Sequence, residues 1–160
     1  LTQADLIALL RSCAENFNVD PDLVVAIATI ESGIYPLATR FEPNWKYFWR
    51  TKEFAKSLGI TEATERVHQA TSWGCLQVMG AVARELGFTD QLPALCTPDN
   101  GIRMGCKKLA RLSEKYENEE AIIAAYNAGS ARRLPGGKWE NQDYVTKVSE
   151  RLRKLRAIGR

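Results

Sequence analysis

The segment that most constrains this chain is an apolar run, Leu23 to Ile30, broken by a carboxylate at Glu31 and followed at once by Ser32-Gly33. Its flanks carry helix punctuation. Asp20 is placed to cap the first turn, Pro21 sits where its missing N–H costs nothing, and Gly33 supplies a stop. The helix so defined delivers Glu31 where helix meets loop, a common address for catalytic groups. Burial against Ile27 and Ile30 would disfavour the ionised carboxylate and keep a proton available for general acid catalysis near neutrality. A glutamate closing an amphipathic helix also reads as solvent-facing, and this segment alone leaves both readings standing.

The rest of the chain reads mainly as helix. Thr2 with Asp5 forms a capping-box pattern ahead of Leu6, Leu9, Leu10, Cys13 and Phe17 at helical spacing. Between Ile34 and Thr71 periodicity weakens, and Phe41, Trp45, Tyr47, Phe48 and Trp49 crowd together. The pattern predicts a helix there from an Asn44 cap to a Gly59 stop. Positions 45, 48 and 49 share one face, which suits core packing or a wall on which sugars stack. Trp73 to Leu86 is read as helix, with Gly74 and Gly80 marking a close approach or a break. Pro98-Asp99-Asn100 opens a long helix, a short one covers 121–127 before Gly129, and a Pro135-Gly136-Gly137 turn precedes a last helix from about Asp143. No repeat or convincing strand alternation is seen.

At 160 residues and 17.9 kDa, one domain spanning 1–160 is expected. No apolar stretch is long enough to cross a bilayer, and no signal peptide is visible at Leu1-Thr2-Gln3. The net charge of +3 is too small for a typical nucleic-acid protein but favours approach to an anionic polymer. Arg151, Arg153, Lys154, Arg156 and Arg160 gather at the C-terminus. A solvated helix face explains them, with an anion-binding tail as the rival. Cys13, Cys75, Cys96 and Cys106 contain no CxxC pair and accompany a single histidine, His68, which disfavours zinc. Free thiols are expected, with a Cys96–Cys106 bridge left open.

Three islands, Glu31-Ser32-Gly33, Gly74-Cys75-Leu76-Gln77-Val78 and Ala125-Tyr126-Asn127-Ala128-Gly129, followed by Tyr144-Val145, are weak singly. In this order the chain resembles the soluble (SLT) type of lytic transglycosylases, relatives of goose-type lysozymes with a lysozyme-like α-helical fold. The resemblance covers about residues 20 to 150. It implies that Glu31 is the catalytic acid and base, with Ser32 a polar contact beside it. It implies that Gln77 faces substrate, although Cys75-Leu76 replaces the family's usual Leu-Met. It also implies that Tyr126 and Asn127 line the cleft floor near Glu31 and that Tyr144 lies near the reacting sugar. The stretch from Tyr35 to Ser72 is longer than the family's minimal core, and its Arg40-Phe41-Glu42-Pro43 start resembles bacteriophage members. Glu42, a loop carboxylate, is the candidate second acid.

Direct hydrolysis of a glycoside usually employs two carboxyl groups. Only Glu31 lies in a motif here, and the transglycosylase route needs one. The resemblance therefore implies cleavage of the β-1,4 bond between N-acetylmuramic acid and N-acetylglucosamine, leaving a 1,6-anhydromuramic end. Two rivals stay open: a hydrolytic goose-type muramidase using Glu42, and a non-catalytic peptidoglycan-binding module. The expected partner is the peptidoglycan glycan strand, with no nucleic acid, no cofactor and no metal, and with the protein acting as a monomer. The expected place of action is the bacterial cell wall, in the periplasm or in a phage virion or lysis context.

Overall fold

The structure is a computed structural model that describes residues 1–158; Arg160, one of the C-terminal cations, lies outside the described residues. Among the described residues eight α-helices predominate, and a three-stranded sheet is the small β element. This is the mainly α, lysozyme-like class expected from sequence. By contact density the chain falls into two compact units, Leu1–Ile30 with Cys106–Arg160 and Glu31–Gly105. The chain passes from one to the other within α2 (Pro21–Ser32) and within α6 (Pro98–Lys115).

The first unit contains α1 (Gln3–Asn16), most of α2, the second half of α6, α7 (Glu119–Ala128) and α8 (Gln142–Ile158). The capping box at Thr2 and Asp5 forms as the sequence predicts, with the Thr2 amide 2.7 Å from the Asp5 carboxylate. Asp20 Oδ1 accepts from the Asp22 amide at 2.8 Å, and Arg156 grips Asp20 Oδ2 at 2.5 Å and Glu119 Oε2 at 2.6 Å. Arg156 thus belongs to an ion-pair network on α8. The core is aliphatic: Leu10, Val24, Ile27, Leu109, Ile123 and Val148 are shielded from solvent. Cys13 and Cys106 hydrogen-bond through their thiols, and none of the four cysteines is in a disulfide, as expected. That contact, followed by burial, pushes the Cys106 thiol pKa up.

The second unit contains β1 (Thr39–Phe41), α3 (Thr51–Leu58), α4 (Glu62–Gln69), β2 (Thr71–Trp73), β3 (Val78–Met79), α5 (Gly80–Glu85) and a 3-10 turn over Leu92–Cys96. The strands run antiparallel in the order β1-β2-β3, with Thr39 opposite Trp73 and Trp73 opposite Val78. Two sequence expectations fail here. The helix predicted from Asn44 begins only at Thr51, because Arg50 is left-handed (φ 45°) and a right-handed helix cannot run through it. Of the three aromatics expected on one helical face, Trp45 and Phe48 are half-buried and Trp49 is exposed, so without that helix they do not form one shared core face.

The helix predicted over Trp73–Leu86 is instead a hairpin followed by α5. Gly74 and Gln77 both take positive φ (74° and 47°), which closes a turn and forbids continuous helix. The glycines were correctly read as sites of close approach. A Cβ on Gly74 would lie 2.7 Å from the Leu95 carbonyl oxygen, and one on Gly80 would lie 2.3 Å from that of His68. Gly105 of α6 is equally tight, because a Cβ there would meet Leu76 Cδ1 at 2.2 Å.

The second unit also holds a buried ion pair that sequence patterning did not single out. Arg84 of α5 donates from Nε to Glu65 Oε1 at 2.8 Å and from Nη2 to Glu65 Oε2 at 3.0 Å, with both side chains at 0% exposure. Its Nη1 donates to the Phe88 and Asp90 carbonyls, and the Phe54 ring lies 4.3 Å from the guanidinium carbon. Such a pair tolerates burial because its donors and acceptors are matched.

Candidate active site

The apolar run forms α2 as its caps dictate, and Glu31 occupies the last turn, partly buried. Directly after Ser32 the chain turns through two left-handed residues, Gly33 (φ 66°) and Ile34 (φ 61°). For a β-branched residue this conformation is a true outlier, costing on the order of 1–3 kcal/mol. Ile34 is held there by burial at 4% exposure.

Ser32 fastens this strained corner. Its Oγ donates to the Cys75 carbonyl at 2.7 Å and accepts from the Tyr35 amide at 3.0 Å. The first sequence island is thereby joined to the second within one unit. Cys75 is buried, and burial pushes its thiol pKa up to about 11, so the side chain is a filler and not a nucleophile.

Gln77 lies in the same turn, but its amide is spent internally. Nε2 donates to the carbonyls of Ala38 and Gly74, each at 2.9 Å, and Oε1 accepts from Ser72 Oγ at 2.9 Å. The Gly74 amide also donates to the Ala38 carbonyl, at 2.8 Å. Gln77 therefore stitches the hairpin turn to the residue that leads into β1. Glu42 follows β1 and is partly exposed; its Oε1 accepts from Arg40 Nε at 2.6 Å, and its amide donates to the Ala70 carbonyl. Glu31, Ser32, Glu42 and Gln77 all belong to this unit.

Tyr126, Asn127 and Tyr144 belong to the other. Tyr126 is 2% exposed on α7, with Lys108 Nζ 3.9 Å above its ring and donating to its carbonyl at 2.7 Å. Asn127 is exposed one residue on, and its Oδ1 accepts from Asn141 Nδ2 at 2.9 Å. Asn141 Nδ2 also donates to the Ala124 carbonyl at 3.0 Å. Gly129, at φ 83°, ends α7 as the sequence predicts.

Tyr144, in the first turn of α8, lines an open hollow with Leu134, Trp139 and Asn141. Trp139 is buried, donates to Glu120 Oε2 at 3.0 Å and carries the Arg133 guanidinium 3.9 Å over its ring. The sequence reading missed Trp139 and Asn141. Their one local signal is position, directly after the Pro135-Gly136-Gly137 turn, where Arg133 and Trp139 form a β-bridge. Among the described residues no cluster of three or more histidine, cysteine or carboxylate side chains is arranged to hold a metal ion.

The geometry thus offers a partly buried carboxylic acid at a rigidly pinned helix end and, in the other unit, tyrosine and amide groups around a hollow. Compared with known families, residues 8–150 match the model of the transglycosylase SLT domain.

Proposed function

The chain belongs to the transglycosylase SLT domain family, and from that premise we propose that it is a peptidoglycan lytic transglycosylase with Glu31 as its acid and base. The observation that carries the reading is the placement of Glu31: it closes α2 inside the matched region, and the Ser32–Cys75 hydrogen bond fixes the backbone beside it. Glu31 protonates the oxygen of the β-1,4 bond between N-acetylmuramic acid and N-acetylglucosamine as the C–O bond breaks. The neighbouring acetamido group stabilises the positive anomeric carbon. The muramic 6-hydroxyl then bonds to that carbon and returns its proton to Glu31, leaving a 1,6-anhydro end with no water consumed.

Ser32 and Gln77 act in this reading chiefly by holding the turn and helix end in place, and Tyr126, Asn127 and Tyr144 position the glycan. No metal or organic cofactor enters the chemistry. The protein works as a monomer at the bacterial wall, and among the described residues no helix is long and apolar enough to cross a membrane. The origin of the 35–72 segment in bacteriophage relatives remains part of this proposal.

Reaction in water enriched in oxygen-18 tests the reading. Anhydro products carry no heavy oxygen at the new end, whereas a hydrolytic muramidase, with Glu42 or another carboxylate holding the water, inserts one labelled oxygen per cut. Labelled ends would replace the proposal with that second mechanism.

A further inference from the structure

The segment between β1 and α3 has no regular structure, yet it is pinned at both ends and in its middle. At its start the Glu42 amide donates to the Ala70 carbonyl at 2.8 Å, and the Trp45 amide donates to the Glu42 carbonyl at 3.1 Å. Trp45 Nε1 donates to the Tyr47 carbonyl at 3.0 Å, and the two rings meet edge to face at 5.5 Å. At its end the fully buried Gln69 amide takes both backbone groups of Trp49: Nε2 donates to the carbonyl and Oε1 accepts the N–H, each at 2.7 Å.

Gln69 is itself held by Glu65 at 2.8 Å, and Glu65 by Arg84. Gln69, backed in turn by two more buried polar side chains, therefore grips the backbone of a residue whose ring is exposed. Tyr47 is 66% exposed, Trp49 43% and Phe41 53%. Apolar rings displayed on a loop gain nothing for the fold by being there. Fixing their backbone in advance removes the ordering cost that a binding surface otherwise meets when it engages a ligand.

We propose that Tyr47 and Trp49 form a preorganised stacking surface for the pyranose rings of a peptidoglycan glycan strand, extending the site beyond the sugars at Glu31. Aromatic faces suit the C–H faces of pyranoses, and their polar edges tolerate the surrounding hydroxyls. Continuity selects this occupant. The segment follows β1, which the chain reaches from the Ser32–Tyr35 corner, and it lies in the same unit as Glu31. Charge agrees, because Lys46 lies 5.7 Å from the Tyr47 ring centre and offers a cation to the carboxylates that peptidoglycan carries. The inference rests on the function proposed above.

The test uses co-sedimentation of the full chain with purified, insoluble peptidoglycan, in a Glu31→Gln background that holds substrate intact. Tyr47→Ala with Trp49→Ala should weaken binding about tenfold, in line with the loss of two stacked rings. Tyr47→Phe with Trp49→Phe should restore most of it, and thermal melting should barely move, since both side chains are exposed. Unchanged binding by the alanine pair, or no binding by Glu31→Gln itself, would overturn the inference. Wild-type cleavage is measured alongside. If the alanine pair loses binding while wild type cleaves nothing, the stacking surface stands and the transglycosylase reading fails; if wild type cleaves and the alanine pair binds as well as Glu31→Gln alone, the reverse holds.

Discussion

Ser32 Oγ donates to the Cys75 carbonyl at 2.7 Å across 43 residues of sequence, joining the helix end that carries Glu31 to the turn of the hairpin. The same oxygen accepts from the Tyr35 amide, so one hydroxyl closes both sides of a corner that contains a left-handed isoleucine. Ser32→Ala leaves a carbonyl and an amide without this partner, at a cost of about 1–3 kcal/mol. The larger effect is expected in catalysis, because a misplaced acid loses alignment with the glycosidic oxygen. Turnover should fall about tenfold or more with KM changed less, and Ser32→Thr should recover part of it. Steady-state release of soluble fragments from peptidoglycan checks this.

The Arg84–Glu65 pair makes a separate prediction about stability. Removing one member leaves the other charged and buried, so Glu65→Ala should destabilise the fold by about 3–5 kcal/mol. Replacing both with apolar residues, as in Glu65→Leu with Arg84→Met, should cost less than the single change. Denaturant unfolding monitored by circular dichroism separates the two. Because Gln69 depends on Glu65, the single variant should also loosen the loop at Trp49, visible as faster proteolysis there.

Much of the fold was legible because its signals are local. The Thr2–Asp5 capping box, the Asp20-Pro21 start of α2 and the glycine stops at Gly33, Gly59 and Gly129 each depend on a few neighbouring residues, and each appears where it was read. The hairpin was not legible, since strands of three and two residues are too short to show a period, and Val78-Met79 suits a helix equally well. Its left-handed turn residue, Gln77, carries no sequence mark. The start of that helix at Thr51 was not legible because the left-handed Arg50 that interrupts it carries no local sequence mark, and the Gln69 amide that holds Trp49 just before it lies twenty residues away. The candidate site divides in the same manner: the polar islands were visible as residue types, while the internal use of Gln77 and the partnership of Asn127 with Asn141 are long-range contacts.

His68 gives a pH dependence. Burial, with the Arg84 charge assisting and Glu65 opposing, holds its imidazole pKa below the ordinary 6.5, and its Nδ1 is buried without a hydrogen-bond partner. The unfolded chain therefore binds this proton more readily than the folded one. The contribution to stability is complete above about pH 6.5 and is lost as pH falls through the lower folded-state value. Melting temperatures followed from pH 7.5 downward should decline for wild type, and His68→Gln should show a shallower decline over that window.

The central claim is that Glu31 cleaves glycan strands by intramolecular transglycosylation. Mass spectrometry of the soluble products released from purified peptidoglycan by wild type and by Glu31→Gln, with circular dichroism confirming that both are folded, tests it most directly. The account predicts 1,6-anhydro-muropeptides from wild type and none from Glu31→Gln. Anhydro products at undiminished yield from Glu31→Gln, or products from wild type that carry an added water, would contradict it.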